Sequence, residues 1–331
     1  MKKTIITLSV AVLALLGLFF LEKAFRTKEE PVTVGIAWRA DTDSEFFTNI
    51  VRGVEACGAK VVLLPQVKAD GFEYEDGVLS ARYCDSLGIL FPTFADSIKQ
   101  NTYRGVPVEE YMAGVDAVIF TGGEDIVPTL FREPQPWHGI AEEWDYNVTR
   151  DISDYLLMAW CIDHDYPTLG LCRGCQMLGV VSGAGLIQDI PAFMASEGRD
   201  YQYEHRNSVP AGQYRDYASH DVFVTDTASL LYAITGTKLI QNVPSWHHQA
   251  VGSVEGTPLK VTGITTVGDY DFAESVERTD KNFVLGLQYH PEAALVKNLT
   301  GAGNASDYMS REEAEKYFKA LIHASQVHPG L

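Results

Sequence analysis

Short apolar runs alternate with longer amphipathic segments along most of the chain. We predict strands at the short apolar runs, and helices where apolar positions recur every three or four residues. The predicted strands cover 32–37, 60–65, 117–120, 222–224 and 283–287, and the predicted helices cover 46–57, 150–161 and 311–324. Ser310, followed by Glu313, fits a capping box at the start of the last helix. This alternation predicts an α/β fold, in which a parallel sheet carries helices on both faces.

The opening segment, 1–30, has a different pattern. Lys2 and Lys3 precede an apolar run at 5–21 that is long enough to cross a bilayer as a helix. A basic start is also typical of a secretory signal peptide, but no small-residue cleavage site follows the run. We therefore expect an uncleaved signal anchor and a charged linker, with a cleaved and secreted form as the alternative. Basic residues lie on both sides of the run, and the signal-like start favours a position outside the cytoplasm for the domain at 31–331.

Composition narrows the class of protein. The chain has 331 residues and a formal net charge of -18. Electrostatic repulsion therefore disfavours binding of its domain to nucleic acid or to anionic membrane surfaces. About 300 residues remain after the opening segment, which suits one large α/β domain. Five cysteines are too few for a disulfide framework in a domain of this size.

The segment 170–174, with the sequence GLCRG, is the most informative for chemistry. It lies between apolar stretches at 166–169 and 176–181, so it predicts a strand, a sharp turn and a helix. Glycines around the turn permit a backbone conformation that other residues resist. The start of a helix also stabilises a thiolate. Cys172 is therefore placed to attack a carbonyl carbon.

Other interpretations of this cysteine remain open. Many cysteines are simply buried packing residues. Cys172 and Cys175 also form a C-x-x-C pair at a helix start, which is typical of thiol oxidoreductases. A zinc site has less support, because no second C-x-x-C or H-x-x-x-H motif completes four ligands.

A second candidate lies near the C-terminus, where the apolar run at 283–287 leads to His290. Glu292 follows two residues later, and positions two apart in an extended segment point the same way. Glu292 can then hold one nitrogen of the imidazole while the other faces a sulfur. This is the arrangement of nucleophile, base and orienting carboxylate found in a catalytic triad.

Together these segments resemble the class I glutamine amidotransferase-like hydrolases, nearest the bacterial γ-glutamyl-γ-aminobutyrate hydrolase branch. The resemblance extends over nearly everything after about residue 31. It rests on four blocks: 120–128 (FTGGEDIVP), 170–176 (GLCRGCQ), 245–251 (SWHHQAV) and 288–292 (QYHPE). It implies a flavodoxin-like parallel sheet flanked by helices.

The resemblance also implies catalytic roles. Cys172 would be the nucleophile, His290 the general base and then acid, and Glu292 its orienting partner. The backbone amides of Gly123 and Arg173 would form the oxyanion hole. No metal or organic cofactor is expected.

Four side chains are candidates for binding the glutamyl part of a small-molecule substrate: Arg173, Gln176, His248 and Glu124. Glu124 stands where related sequences usually carry glycine, and we expect it to meet an ammonium group or a basic leaving group. The guanidinium of Arg173 is expected to grip a carboxylate.

The implied activity is hydrolysis of γ-glutamyl amides through a thioester, which releases glutamate and an amine. One alternative is a glutaminase that delivers ammonia to an amidotransferase partner. A second is a membrane-bound thiol oxidoreductase that uses Cys172 and Cys175.

Overall fold

The computed structural model describes residues 31–101, 103–133, 145–209 and 213–327. Within these ranges the strands are β1 (Thr33–Ile36), β2 (Lys60–Leu63), β3 (Tyr74–Glu75), β4 (Val78–Leu79), β5 (Ala117–Phe120), β6 (Thr168–Leu171), β7 (Leu186–Ile187), β8 (Ala218–Val224), β9 (Leu239–Ser245), β10 (Ala250–Val251), β11 (Leu259–Val267), β12 (Tyr270–Arg278) and β13 (Val284–Leu287). The α-helices are α1 (Glu45–Ala56), α2 (Pro92–Asn101), α3 (Val108–Tyr111), α4 (Val148–Asp163), α5 (Arg173–Val181), α6 (Ile190–Ser196), α7 (Leu230–Thr235), α8 (Pro291–Thr300) and α9 (Arg311–Val327).

Five parallel strands form one half of the main sheet, in the order β2-β1-β5-β6-β13. Numbered among themselves along the chain, these strands run 2-1-3-4-5, which is the flavodoxin-like order. The flavodoxin-like prediction is therefore confirmed for this half. In such sheets the functional site lies at the carboxyl ends of the strands.

The other half of the sheet is antiparallel and was not predicted. Strands β12, β11, β8 and β9 continue the sheet beyond β13, so that nine strands of the described residues belong to it. Strands β11 and β12 form a long hairpin that turns at Gly268, where φ is +62°. The expectation of a purely parallel sheet is therefore wrong. Strands β11, β12 and β13 follow one another through short connections, and strands joined in this way pair antiparallel.

Alternating side chains on the central strands place one hydrophobic core on each face of the sheet. On β5, Val118 and Phe120 join the core beneath α4 and α5, while Ala117 and Ile119 join the core beneath α1, α8 and α9. All four side chains are fully buried. Helices therefore cover both faces of the parallel half, as the sequence predicted.

Most predicted elements are present with shifted ends. Ser44 caps α1 by accepting from the Phe47 amide, and Ser310 caps α9 by accepting from the Glu313 amide at 3.2 Å. The predicted strand at 222–224 is the end of the longer β8. The apolar run at 5–21, on which the membrane anchor depends, lies outside the described residues. Among the residues that are described, no helix is long and apolar enough to cross a membrane.

Candidate active site

Cys172 lies on a sharp turn between β6 and α5. Its φ of +50° and ψ of -104° are rare for a residue with a side chain, and α5 begins at the next residue. A Cβ on Gly170 would lie 2.5 Å from the carbonyl oxygen of Gly174, and a Cβ on Gly174 would collide with the carbonyl of Phe120. Both glycines are therefore required for the close packing that forms the turn, and the predicted elbow is present.

His290 and Glu292 lie at the carboxyl end of the neighbouring strand, β13. His290 is the N-cap of α8, and Glu292 lies in the first turn of that helix. The His290 Nδ1 and Glu292 Oε1 atoms are 2.6 Å apart, and both side chains are completely buried. Because Glu292 occupies Nδ1, it orients the imidazole as predicted, and Nε2 is left without a hydrogen-bond partner among the described residues.

The charge state of His290 follows from its neighbours. Burial lowers its pKa, but the carboxylate of Glu292 and the sulfur of Cys172 outweigh burial and raise the pKa to about 10. His290 therefore carries a proton at neutral pH, which it can give to a leaving amine. The rings of Phe46 and Tyr217 lie 5.5 Å and 5.2 Å from the imidazole, so solvent is kept from this proton.

A glycine turn after β5 faces these residues. A Cβ on Gly122 would lie 3.0 Å from His290 Cε1 and 3.6 Å from Cys172 Cβ, so no larger residue fits there easily. Gly123 has a φ of +144°, and a Cβ on it would collide with the Arg150 guanidinium. The predicted oxyanion donors, the amides of Gly123 and Arg173, thus belong to a tight turn and to the first residue of a helix. Their role remains a prediction.

Two glutamines support the nucleophile. The Nε2 atom of Gln288 donates toward the Cys172 sulfur at 3.7 Å, and Gln176 Nε2 lies 3.4 Å from the Gln288 side-chain oxygen. Gln176 also donates to the Gln249 carbonyl at 3.1 Å and is 4% exposed. It therefore orients Gln288 beside the sulfur. Sequence reasoning missed Gln288, although that residue lies in the same block as His290.

The Arg173 side chain does not face the substrate side. Its guanidinium pairs with Asp151 at 2.5 Å and with Asp154, and all three side chains are buried. Burial alone would lower the pKa of Arg173, but these carboxylates outweigh it and raise the pKa. The expectation that Arg173 grips a substrate carboxylate is wrong, because its guanidinium is buried and both of its terminal nitrogens are paired with carboxylates of α4. Only its backbone amide remains a candidate for the site.

Glu124 belongs to the same charged cluster. Its carboxylate pairs with Arg150 at 2.5 Å and accepts from Asn147 at 3.0 Å. Burial raises the pKa of Glu124, but Arg150 and Arg173 outweigh burial and lower it to about 2. Arg150 also donates to the carbonyl of Gly122 at 2.9 Å. Glu124 therefore anchors the arginine that supports the glycine turn, rather than being free to meet an ammonium group.

The sequence analysis did not identify the arginine and the two aspartates of α4 as residues that support the site. Arg150, Asp151 and Asp154 are at most 1% exposed on a helix whose other residues are mostly apolar and buried. Charged residues on the core face of a predicted helix are the signal that could have found them, because such groups are rarely buried unless they are paired.

His248 bridges the carboxylates of Asp125 and Asp189. Its Nε2 lies 3.0 Å from Asp125 Oδ1, and its Nδ1 lies 3.1 Å from Asp189 Oδ2. Burial lowers the pKa of His248, but the two aspartates outweigh burial and raise it to about 9. His248 is therefore a cation at neutral pH. Its side chain and that of Asp125 are about a tenth exposed, at 11% and 12%.

The remaining cysteines are poor nucleophiles. Cys175 is 1% exposed, and a Cβ on Gly286 would lie 2.9 Å from its sulfur. Burial raises the pKa of Cys175 well above its usual value, and Glu274 raises it further. Burial also raises the pKa to about 11 for Cys57 and Cys84 and to about 12 for Cys161. A redox partnership between Cys175 and Cys172 therefore lacks a second accessible thiolate.

A family model described as peptidase C26 matches residues 99–292. That range covers more than half of the sequence and includes Cys172, His290 and Glu292. The chain belongs to the peptidase C26 family. Its triad residues thus occupy a region shared with this peptidase C26 family, whereas the opening segment lies outside the match.

Individual relatives carry two kinds of name. Protein NtpR of Enterococcus hirae is 31% identical over 194 residues, which span 58% of this peptidase C26 chain and 73% of NtpR. The glutamine amidotransferase-like protein YvdE of Lactococcus lactis is 28% identical over 56% of this chain and 69% of its own length. The γ-glutamyl-γ-aminobutyrate hydrolase PuuD of Escherichia coli is 24% identical over 65% of this chain and 76% of its own. These relatives fit the class I glutamine amidotransferase-like hydrolases that the sequence resembles.

Among solved structures, the glutaminase domain of Trypanosoma brucei CTPS with bound acivicin aligns with 91% of this peptidase C26 chain and 96% of that domain. The identity is 12% and the TM-score is 0.49. The fold assignment therefore rests on the strand order described above.

Proposed function

We propose that this protein hydrolyses γ-glutamyl amides and releases glutamate and an amine. The observation that carries the proposal is the arrangement at Cys172. A cysteine on a strained turn at a helix start meets a histidine whose other nitrogen is held by a buried carboxylate, 2.6 Å away. Family membership supports a hydrolase of this kind, and the named activity of PuuD is the basis for choosing γ-glutamyl substrates.

In the proposed reaction, the Cys172 sulfur attacks the side-chain carbonyl of the γ-glutamyl group. The amides of Gly123 and Arg173 bind the oxyanion that forms, and the His290 proton passes to the departing amine as the C–N bond breaks. Water, deprotonated by the same imidazole, then hydrolyses the thioester and regenerates the thiol. Glu292 holds the imidazole in place through both steps.

Recognition of the α-ammonium of the glutamyl head is assigned to Asp125, and His248 is assigned the role of positioning that carboxylate. Both ring nitrogens of His248 are already used by Asp125 and Asp189, so the predicted contact of His248 with substrate is not available, whereas the Asp125 carboxylate is 12% exposed. A glutamyl head carries an α-carboxylate and an α-ammonium, which need partners of opposite charge when they leave water. Gln176 acts through Gln288 and is a positioning residue.

The test is a panel of γ-glutamyl amides that includes glutamine, with glutamate release as the readout. Cys172→Ala should lose at least about 10³-fold in kcat/KM, since only that sulfur lies on the turn. Cys175→Ala is the matched control and should keep most of the activity. Loss of activity in both variants, together with disulfide reductase activity in the wild type, would support the oxidoreductase alternative instead.

A glutaminase that supplies ammonia to a partner is the second candidate, because relatives such as YvdE carry amidotransferase-like names. The two candidates differ in the preferred substrate. A hydrolase of γ-glutamyl amines should have a kcat/KM for those amides well above its value for glutamine. Preference for glutamine over every other amide in the panel would favour the glutaminase.

A further inference from the structure

Three histidines surround one buried glutamate in the antiparallel half of the sheet. His220 lies on β8, and Glu274 lies on β12. His247 is the second residue after β9, and His205 belongs to the segment before β8. The Oε1 atom of Glu274 lies 3.2 Å from His205 Nε2, 3.3 Å from His220 Nε2 and 3.5 Å from His247 Nε2. The four side chains are at most 6% exposed.

The hydrogen bonds of two rings fix which nitrogen faces the glutamate. Nδ1 of His247 lies 2.8 Å from the Gln249 carbonyl, and Nδ1 of His220 lies 3.3 Å from the Glu204 carbonyl. A carbonyl can only accept, so each Nδ1 carries the proton. In a neutral ring, Nε2 therefore presents a lone pair to the carboxylate.

The centre of the cluster therefore holds too few protons to form hydrogen bonds between its acceptor atoms. Nε2 of all three histidines and both carboxylate oxygens of Glu274 lack a hydrogen bond among the described residues. One protonated ring could satisfy one pair, but the other lone pairs would still face each other in a site closed to water. Buried polar groups left unsatisfied in this way are costly.

A divalent metal ion at the centre would bind these unsatisfied lone pairs. Three neutral imidazole nitrogens and one carboxylate are a donor set that Zn²⁺ favours. Tetrahedral bonds of about 2.0–2.1 Å place the ligand atoms roughly 3.3–3.4 Å apart, close to the separations between Oε1 and the three nitrogens. The ligand atoms of His205, His247 and Glu274 also all lie within 4.8 Å of one another. Nε2 of His220 lies 3.3 Å from Glu274 Oε1 but is not within 4.8 Å of both other histidine nitrogens, so its ring must move toward the ion to complete the four ligands. Histidine ligands usually donate their other N–H to a carbonyl, as His220 and His247 do.

We propose that His205, His220, His247 and Glu274 form a structural site for a divalent transition metal, with Zn²⁺ as the expected ion. The four ligands leave no open position for a substrate, which distinguishes this site from a catalytic zinc centre.

The position of the site explains what it would stabilise. It ties the segment around His205 and the segment after β9 to the sheet. The latter segment carries Trp246, whose ring lies 5.2 Å from that of Tyr217, a neighbour of His290. The carbonyl of Glu274 also accepts from the Gln288 amide at 2.8 Å. The metal would thus hold one wall of the active site.

Metal content is the first measurement. Tag-free wild-type protein, produced in medium supplemented with Zn²⁺, should contain about one zinc ion per chain by mass spectrometry of the metals. Glu274→Gln should reduce that content at least about tenfold, because it removes the anionic ligand while keeping the shape. His323→Ala is the matched control, since His323 is an exposed histidine on α9, and it should keep the metal.

Two further measurements locate the ion and remain informative if Glu274→Gln does not fold. Cys172→Ala should keep the zinc, which separates this cluster from the cysteine and histidine of the active site. A strong chelator should lower the melting temperature of the wild type by about 8–16 °C, the shift expected when a ligand present at 1,000 times its Kd is withdrawn. Wild-type protein that holds no metal and melts at the same temperature with chelator would overturn the proposal. So would loss of the zinc in Cys172→Ala, or full zinc content in Glu274→Gln.

Discussion

Replacement of Arg173 by methionine separates structural from substrate-binding roles for this residue. The guanidinium is 1% exposed and pairs with Asp151 and Asp154 on α4, both equally buried. Methionine fills a similar volume, but it leaves Asp151 with the Val127 amide as its remaining donor and Asp154 with Arg150, whose Nε lies 3.5 Å away. The backbone amide of residue 173, which is the predicted oxyanion donor, is retained. We therefore expect a large loss of stability and little change in catalysis by the folded enzyme.

The magnitude follows from the cost of leaving a buried charge unpaired, which is about 3–5 kcal/mol when one partner of a buried pair is removed. Burial already raises the pKa of Asp151 to about 7, with Arg173 opposing that shift. In Arg173→Met the guanidinium no longer opposes the effect of burial, so Asp151 takes up a proton more readily. The protonated side chain is uncharged, and the loss of stability is therefore smaller at acidic pH. The destabilisation should therefore be larger above pH 7 than below it.

The assay is urea unfolding of wild type and variant on both sides of pH 7, with kcat and KM measured under conditions where each is folded. Arg311→Met is the matched control, because Arg311 pairs with Glu315 at 2.5 Å while its side chain is 55% exposed. Exposed pairs contribute at most about 1 kcal/mol. A tenfold rise in KM for Arg173→Met, without loss of stability, would refute this reasoning and restore Arg173 as a substrate ligand.

Three further predictions test the site and the opening segment. Because the pKa of His248 is raised from 6.5 to about 9, its stabilising effect is complete below pH 6.5 and is lost as pH rises through 9; the free energy of unfolding of wild type relative to His248→Gln should fall by about 3 kcal/mol across that range. His290→Ala should lose nearly as much activity as Cys172→Ala, and Glu292→Gln should lose less, since an orienting group is less essential than the base; wild-type rates in His290→Ala would exclude the triad. Full-length protein should sediment with membranes and resist carbonate extraction, whereas a chain beginning at residue 31 should be soluble and active; mature protein found free outside the cell would indicate a cleaved signal peptide.

The reacting atoms were predictable because they depend on short local signals. Glycines around Cys172 indicate the turn, and the two-residue spacing of His290 and Glu292 indicates their shared direction. The direction of the Arg173 side chain was not predictable, because its partners on α4 lie about twenty residues away, at 151 and 154. Its position in the turn suggested a substrate ligand, but its guanidinium pairs with the buried aspartates of α4 instead.

Long-range pairing also explains what was missed in the fold. The antiparallel strands β8, β9, β11 and β12 were hard to predict, because β11 and β12 carry buried polar side chains such as Thr262, Glu274 and Ser275 among their apolar positions. The cluster around Glu274 draws its histidines from three separate segments, so no spacing motif reveals it. Only the sheet brings them together.

The uneven burial of the cysteines has a practical consequence for labelling. Four of the five thiols have raised pKa values, so at neutral pH they hold their protons and react slowly with alkylating reagents. Cys172 alone has an imidazolium beside it and a helix start beneath it. A small reagent such as iodoacetamide should therefore mark one residue, and the fraction of chains marked would count the competent active centres in a preparation. Labelling of Cys172 would thus measure the concentration of active sites without knowledge of the natural substrate.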